Sequence, residues 1–375
     1  MSVGRIPFLD LRLGEDAADV EAAIRKVLER GWFVLGPEVE AFEREFAAAS
    51  GAPHAVGTGT GTDAIALLLR AVGVGQGDEV ITTPLSAAYT ALAVMMIGAR
   101  PVFADLDPDR MTLDPRAAES AITPRTAAIL PVHLYGQPAD MTAFSSLAER
   151  KGLALIEDCC QAHLGTCGGR PVGTFGAGGA FSFYPTKNLG ALGDAGAVIT
   201  SDAGLGDRIR RLRNGGQIDR YRHAEAGVNS RLDELQAAIL RTRLPHVARH
   251  TGIRRSLASN YRAGLAGASV TVPPELDLGH VYHLFPVRTS MRSALQAHLS
   301  DAGIETLVHY PIPIPRQQAF AAVNPAECPI ADHACNEVLS LPLHPGLRPS
   351  ELARITDVVQ SFPASASRAG KRHLS

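Results

Sequence analysis

The chain has 375 residues, of which 46% are hydrophobic and 20% are charged, and its formal net charge at pH 7 is −2. This length exceeds that of one ordinary core and predicts a large domain followed by a smaller one. The balanced charge excludes the basic surface of nucleic-acid-binding proteins, and no segment has the apolar run of a signal peptide or a membrane span, so we expect a soluble, cytoplasmic protein that binds neither nucleic acid nor membrane.

Short apolar runs alternate with helical patterns from about residue 51 to residue 244, as in the βαβ units of a mostly parallel sheet. The predicted helices of this region cover residues 64–72, 88–97 and 141–151. The predicted strands cover residues 79–82, 101–105, 127–132, 154–157, 180–184 and 196–200. We therefore expect an α/β fold that binds its ligands at the carboxyl ends of the strands.

In the C-terminal third, the alternation of apolar runs and helical patterns ends. An amphipathic pattern predicts a helix over residues 231–244 that continues to about residue 262. Turn-rich patches then flank a predicted strand at residues 282–287. We place a domain boundary at this change, with a large domain over 1–245 and a small C-terminal domain over 246–363. Residues 364–375 are mostly Ala, Ser and basic residues without periodicity, and they predict a disordered tail.

One lysine, Lys187, lies between an aromatic strand and a glycine-containing loop. Earlier in the chain, Asp158 ends another apolar strand and Gln161 follows it. A lysine amine that forms an imine and an aspartate that keeps a pyridine nitrogen protonated are the two groups that a pyridoxal phosphate (PLP) site requires. The pair favours a PLP enzyme; the alternative is a solvated lysine and an aspartate that caps a helix.

Glycine and threonine alternate over residues 57–62, directly before a predicted helix. Such a turn offers backbone N–H groups and the positive end of a helix dipole to a phosphate. Gly59, Gly61 and Ala64 also match the G-x-G-x-x-A pattern of dinucleotide-binding folds, with Glu79 near the spacing of the ribose acid. A nicotinamide oxidoreductase is therefore an alternative, although it leaves Lys187 and Asp158 without a role. The other alternative is a glycine-rich turn without a ligand.

The five cysteines form no disulfide framework and are expected to be reduced. Cys159 and Cys160, followed by His163, could suggest a metal site, but adjacent cysteines lack the spacing that lets both thiolates reach one zinc ion. We expect small buried hydrophobic side chains here and no metal.

Together these segments resemble the DegT/DnrJ/EryC1/StrS family of PLP-dependent sugar aminotransferases, from residue 7 to about residue 363. The matching motifs, whose order also agrees, include GTDA at 61–64, GDEV at 77–80, PVHLYG at 131–136, EDCCQAH at 157–163, FSFYPTK at 181–187, NSRLDELQ at 229–236 and HYP at 309–311. The resemblance implies a fold-type-I PLP-dependent transferase: a mostly parallel seven-stranded sheet flanked by helices, a smaller α+β C-terminal domain, and a homodimer whose active sites lie at the subunit interface.

The resemblance also implies a role for individual residues. Lys187 would be the catalytic Schiff-base residue and Asp158 the catalytic partner of the pyridine nitrogen, with Gln161 on the ring hydroxyl. The phosphate would be held by Gly61, Thr62 and Ser182, and by Asn229 of the neighbouring subunit, for which a helix-capping loop amide is the alternative. Tyr89 is a candidate to stack on the cofactor ring, and a buried helix tyrosine is the alternative.

The implied reaction moves an amino group from an amino acid, glutamate by resemblance, to a keto sugar attached to a nucleoside diphosphate, in amino sugar biosynthesis. Two alternatives are an aminotransferase that acts on a keto-cyclitol and a non-catalytic regulatory protein that binds PLP. Four side chains are candidates for sugar contacts, although each could equally be a hydrogen-bonded loop residue; they are His163, Tyr184, His309 and Tyr310.

Overall fold

The structure is a computed structural model that describes residues 4–323 and 327–363. The α-helices are α1 Ala17–Arg30, α2 Pro37–Ala49, α3 Gly61–Ala71, α4 Tyr89–Met96, α5 Pro115–Ser120, α6 Met141–Lys151, α7 Ala203–Leu212, α8 Glu234–Arg243, α9 Val247–Gly264, α10 Arg292–Asp301, α11 Pro329–Glu337 and α12 Pro349–Ser361. Within the described ranges, no helix combines the length and apolar character needed to cross a membrane. The predicted tail, 364–375, lies outside them.

The strands are short, and most of them belong to one sheet. They are β1 His54–Thr58, β2 Glu79–Thr82, β3 Arg100–Phe103, β4 Thr126–Leu130, β5 Ala154–Asp158, β6 Thr166–Cys167, β7 Arg170–Pro171, β8 Gly178–Ser182, β9 Gly196–Thr200, β10 Gln217–Asp219, β11 Arg222–His223, β12 Phe285–Arg288 and β13 Val338–Leu341.

The central sheet has seven strands in the order β1-β9-β8-β5-β4-β2-β3. Strand β9 pairs antiparallel with both β1 and β8, and the other pairings are parallel, so β9 alone of these seven runs against the rest. The predicted mostly parallel seven-stranded sheet is confirmed. Its parallel strands are buried almost throughout, which is why they read as apolar runs in the sequence.

Helices cover both faces of the sheet. On one face, Phe42 and Phe46 of α2 pack edge-on against Phe181 and Phe183, with ring centroids 5.1–5.3 Å apart. On the other face, α3 lies over β8 and β9, and its Leu67, Leu68 and Leu69 are buried. Because α3 starts immediately beyond β1, this packing fixes the start of α3 beside the end of β8.

The helix predicted over residues 231–262 is interrupted. Helix α8 begins at Glu234, and a 3-10 turn, Leu244–His246, separates it from α9. Pro245 lies in this turn, and a proline has no N–H to continue the hydrogen-bond ladder of a helix. The α-helical hydrogen-bond ladder is therefore interrupted here, and α8 and α9 are two separate helices.

The residues after the turn build a second core. Strands β12 and β13 pair antiparallel, and Tyr261 of α9 stacks on Phe285 with ring centroids 4.8 Å apart. The N-terminal segment joins this region through the bridge between Ile6 and Ile304. The division into 1–245 and 246–363 stays a prediction.

Candidate functional site

A cavity of about 540 Å³ lies beyond the carboxyl ends of strands β5 and β8 and at the start of α3. Its volume is within the usual range for sites that bind small molecules. It lies where the sheet fold was expected to bind a ligand. The predicted site residues that line it are Gly61, Thr62, Tyr89, Asp158, Gln161, Ser182 and Lys187.

One end of the cavity is formed by the N-terminus of α3. The first N–H groups of a helix have no partner within the helix. Thr60 caps α3 by accepting a hydrogen bond from the N–H of Asp63 at 3.0 Å, which leaves the N–H groups of Gly61 and Thr62 available. With the Ser182 hydroxyl beside them, this corner can hold a phosphate group.

Gly61 is required here by a close approach. A Cβ atom at this position would lie 2.6 Å from the Ser182 Cβ and 3.0 Å from the Cys160 Sγ. Any side chain would therefore push the start of α3 away from β8.

We predict that Gly61→Ala weakens cofactor binding at least about tenfold and lowers the free energy of unfolding by about 1–3 kcal/mol. Titration with PLP and thermal denaturation measure the two effects. Gly252→Ala, in α9, is the matched control, since a Cβ there meets no atom within 4 Å. Unchanged PLP affinity in Gly61→Ala would remove this corner from the site.

The Asp158 carboxylate is buried at the end of β5, with 3% of the residue exposed. One oxygen accepts a hydrogen bond from the Thr90 hydroxyl at 2.7 Å, and the other accepts one from the Cys160 N–H at 3.0 Å. These two donors fix the carboxylate, and a carboxylate can accept further bonds. It can therefore bind and keep protonated a cationic ring nitrogen in the cavity.

Lys187 is partly buried in a loop after β8, where its N–H donates to the Tyr184 carbonyl. In the described parts of the chain its amine has no hydrogen-bond or ion-pair partner. Burial lowers the pKa of Lys187 below its ordinary value because water is removed from the ammonium group, and Cys160 and Asp158 partly oppose this. A lowered pKa favours the neutral amine, which is the nucleophilic form.

Gln161 lines the cavity between two tyrosines. Its Oε1 accepts a hydrogen bond from the Tyr135 N–H at 2.7 Å, and its Nε2 donates to the Tyr310 hydroxyl at 3.2 Å. The second Nε2 hydrogen can still donate to a ligand. Burial raises the pKa of Tyr310 to about 12, so its hydroxyl keeps its proton.

Tyr89 and Asn229 are both exposed. Tyr89 starts α4, lines the cavity and is 64% exposed, so the alternative of a buried helix tyrosine is wrong. Asn229 forms an isolated antiparallel β-bridge with Asn214 and does not line the cavity of this chain. Its predicted contribution to the site of a neighbouring subunit stays a prediction.

Sequence reasoning did not identify several residues of the cavity wall. Thr90, which donates to Asp158, lies in no recognised motif. Cys160, which lies between Asp158 and Gly61, belongs to the EDCCQAH motif but was predicted only as a small buried hydrophobic side chain. Cys160 also differs from Cys159, since Cys159 is fully buried as expected and Cys160 is only partly buried.

The four candidates for sugar contacts divide into three groups. Tyr184 lines the 540 Å³ cavity. His309 and Tyr310 line a neighbouring cavity that also contains Lys187. His163 is fully buried, and its Nε2 donates to the Ser182 carbonyl at 2.8 Å. Burial lowers the pKa of His163 to about 3, so it is neutral and holds the end of β8 in place.

An amine, a carboxylate and a set of phosphate-binding N–H groups thus share one cavity. This set fits PLP, which has an aldehyde, a ring nitrogen and a phosphate, and the Gly61 close approach keeps the phosphate corner open to it. A nicotinamide dinucleotide would use the glycine turn but would leave Lys187 and Asp158 without a role.

Comparison with known proteins gives independent information. Residues 15–360 match the DegT/DnrJ/EryC1/StrS aminotransferase family. The chain is 47% identical to dTDP-3-amino-3,4,6-trideoxy-alpha-D-glucose transaminase of Streptomyces venezuelae, over 97% of this chain and 98% of that protein. It is 45% identical to UDP-N-acetyl-3-dehydro-alpha-D-glucosamine 3-aminotransferase of Acidithiobacillus ferrooxidans, over 95% and 97%.

A solved structure gives the same result for the fold. The crystal structure of S. venezuelae DesV in complex with a ketimine intermediate superposes with a TM-score of 0.92 at 48% identity, and the match covers 95% of this chain and 98% of that one.

Proposed function

This chain belongs to the DegT/DnrJ/EryC1/StrS aminotransferase family and is a PLP-dependent aminotransferase, and we propose that it aminates a nucleotide-linked 3-keto sugar. The observation that carries the proposal is the convergence of the Lys187 amine and the Asp158 carboxylate on the phosphate corner of one cavity. Bound PLP supplies an electron-withdrawing ring on which an amino group can be exchanged between two substrates.

Each side chain has its own task in this proposal. Lys187 would hold the cofactor covalently between turnovers. Its amine, once released, would transfer a proton at the carbon that carries the exchanged nitrogen. The lowered pKa of Lys187 supports this task because the released amine can accept that proton. Asp158 keeps the ring nitrogen protonated, and the Thr90 hydroxyl holds the aspartate in position.

The remaining predicted residues bind and orient the cofactor. The N–H groups of Gly61 and Thr62, with the Ser182 hydroxyl, hold the phosphate, and Gln161 contacts the ring hydroxyl. Tyr89 covers the ring, and its place at the exposed rim of the cavity supports this.

We assign the acceptor from the relatives. The Streptomyces and Acidithiobacillus enzymes are both named for amination at sugar position 3, the first on a dTDP-linked sugar and the second on a UDP-linked sugar. The aromatic and imidazole side chains of Tyr310 and His309 lie beside Lys187 in a cavity of about 350 Å³, which supports the entry of a ring-shaped substrate from this side. Glutamate is the proposed amino donor.

A homodimer with shared sites is part of the proposal. It supplies Asn229 to the neighbouring site, and it would cover apolar side chains that are exposed in the single chain, such as Trp32 (55%) and Met96 (60%). A cytoplasmic location is proposed with it, because glutamate and nucleotide sugars are small metabolites of that compartment.

The test uses enzyme converted to its aminated form with glutamate. We expect a dTDP- or UDP-linked 3-keto sugar to restore the lysine-bound cofactor and to yield the 3-amino sugar, identified by mass spectrometry with ¹⁵N-glutamate as donor. Reaction with a keto-cyclitol alone would favour the cyclitol alternative. A cofactor that no amino donor changes would favour the regulatory protein.

A further inference from the structure

Two more cavities meet the reactive lysine on the side towards the C-terminal residues. Their volumes are about 350 and 480 Å³, and Thr186, Lys187 and Arg254 line both. Arg254 belongs to α9, far from Lys187 in sequence, and the fold brings it to the same walls. A substrate that reaches the Lys187 amine from this side therefore passes a guanidinium group.

The guanidinium of Arg254 is nearly enclosed, with 4% of the residue exposed. Its Nη1 donates to the carbonyls of Tyr282 at 3.1 Å, His283 at 3.3 Å and Leu343 at 2.8 Å. Burial lowers the pKa of Arg254 to about 10 because no water solvates the charge. In the parts of the chain that the structure describes, no carboxylate pairs with Arg254, and its Nη2 makes no hydrogen bond.

The other arginines of the 480 Å³ cavity already have acidic partners. Arg12 pairs with Asp10 at 2.5 Å, Arg243 pairs with Asp16 at 2.8 Å, and Arg249 pairs with Glu15. Among the described residues, Arg254 is therefore the arginine of this cavity wall that has no acidic partner.

The acidic residue of the 350 Å³ cavity is also engaged elsewhere. Glu305 pairs with Arg5 at 2.5 Å and accepts the Phe8 N–H at 3.0 Å. A buried cation without a counterion is costly, whereas a carboxylate that binds a guanidinium makes strong charge-assisted hydrogen bonds. The arrangement therefore points to an anionic ligand at Arg254.

We propose that Arg254 binds a carboxylate of the amino donor and so positions the donor amine at the Lys187 side of the cofactor. The inference rests on the proposed function and deepens it, because it names the group that selects an amino acid donor. The diphosphate of the acceptor is the other anion that could reach this wall. The cavity shared with Lys187 favours the donor, since the reacting amine of an amino acid is adjacent to one carboxylate and near the other in glutamate.

The test compares Arg254→Lys with the matched control Arg255→Lys in holoenzyme. Arg255 is exposed, but like Arg254 it donates to a backbone carbonyl, that of His280, at 2.9 Å, and it lines neither cavity. A lysine keeps the charge at position 254 and a donor for the carbonyls but loses the planar fork. We expect the glutamate concentration for half-maximal conversion of the cofactor to rise about tenfold in Arg254→Lys and to stay within about twofold in the control.

Arg254→Gln, which removes the charge, should show a larger rise, about a hundredfold. If this variant does not fold, Arg254→Lys decides alone. If the half-maximal concentrations of glutamate and glutamine rise equally in the variant, the α-carboxylate is the ligand. If only that of glutamate rises, the side-chain carboxylate is the ligand. Either result supports the proposal.

Calorimetry gives a readout that does not depend on turnover. Glutarate, a dicarboxylate without an amine, should bind Arg254→Lys about tenfold more weakly than wild type, and thymidine diphosphate should bind both equally. Weakened thymidine diphosphate binding with unchanged glutarate binding, or an unchanged glutamate half-reaction, would overturn the proposal. If the keto sugar fails to react while the glutamate half-reaction responds to Arg254, the proposed acceptor is wrong and the inference stands.

Discussion

Lys187→Ala is expected to lower the rate of amino transfer by about 10⁴-fold, because the change removes both the bond to the cofactor and the base that moves the proton. No other lysine lines the 540 Å³ cavity in the described chain, so no neighbouring amine replaces it. The measurement is the steady-state rate with glutamate and the keto sugar, together with the visible absorption band of the lysine-bound cofactor, which the variant should lack.

Two controls separate chemistry from folding in this experiment. Lys151→Ala changes a lysine at the end of α6 that pairs with Glu119 at 3.2 Å on the surface, and its rate should equal that of wild type. Methylamine added to Lys187→Ala should restore part of the activity, because a small amine fits the space that the side chain leaves. A rate for Lys187→Ala within tenfold of wild type would contradict the assignment.

Asp158→Asn is expected to lower the rate by at least about 100-fold while the cofactor stays bound. The amide fits the same space and can still accept from Thr90, but it carries no charge to keep a ring nitrogen protonated. Single-turnover conversion of the bound cofactor by glutamate measures this step, with PLP affinity measured in parallel.

The matched control for Asp158→Asn is Asp140→Asn, which makes the same change at the cap of α6, where Asp140 accepts the Ala143 N–H at 3.0 Å. Asparagine is an equally good cap, so its activity should not change. Full activity in Asp158→Asn, or loss through failure to bind PLP alone, would reject the electrostatic role of this carboxylate.

Much of the fold could be predicted because buried parallel strands have a simple pattern. Strands β2 and β9 and helix α6 have the predicted limits, and the limits of the other predicted strands of the central sheet differ by at most two residues. The strand predicted at 282–287 begins three residues later, at Phe285 of β12. Strand β8 begins two residues before its prediction because its first two residues, Gly178 and Gly179, have no apolar side chain to mark a strand. Gly178 is needed there, since a Cβ would lie 2.4 Å from the Ile199 carbonyl oxygen. Apolar content alone does not reveal such a contact with a neighbouring strand.

The site was predictable where a residue ends a strand. Asp158 was predicted to end a strand, and it is the last residue of β5, at the edge of the sheet where ligands bind. Ser182 ends β8 at the same edge, but the predicted strand, 180–184, placed it in the middle, and its role came only from the family resemblance. Thr90 and Arg254 lie on helices, and only the packing of those helices brings them to Asp158 and Lys187. The burial of Arg254 without an acidic partner also depends on residues far away in sequence, which no local pattern encodes.

The visible spectrum of purified enzyme with PLP, followed through one complete cycle, tests the assignment of Lys187 and of both substrates together. We expect an absorption band from the cofactor bound to Lys187, loss of that band on addition of glutamate, and its return on addition of a nucleotide-linked 3-keto sugar, with none of these changes in Lys187→Ala. A wild-type enzyme that shows no such band at saturating PLP, or a band that glutamate leaves unchanged, would contradict this assignment.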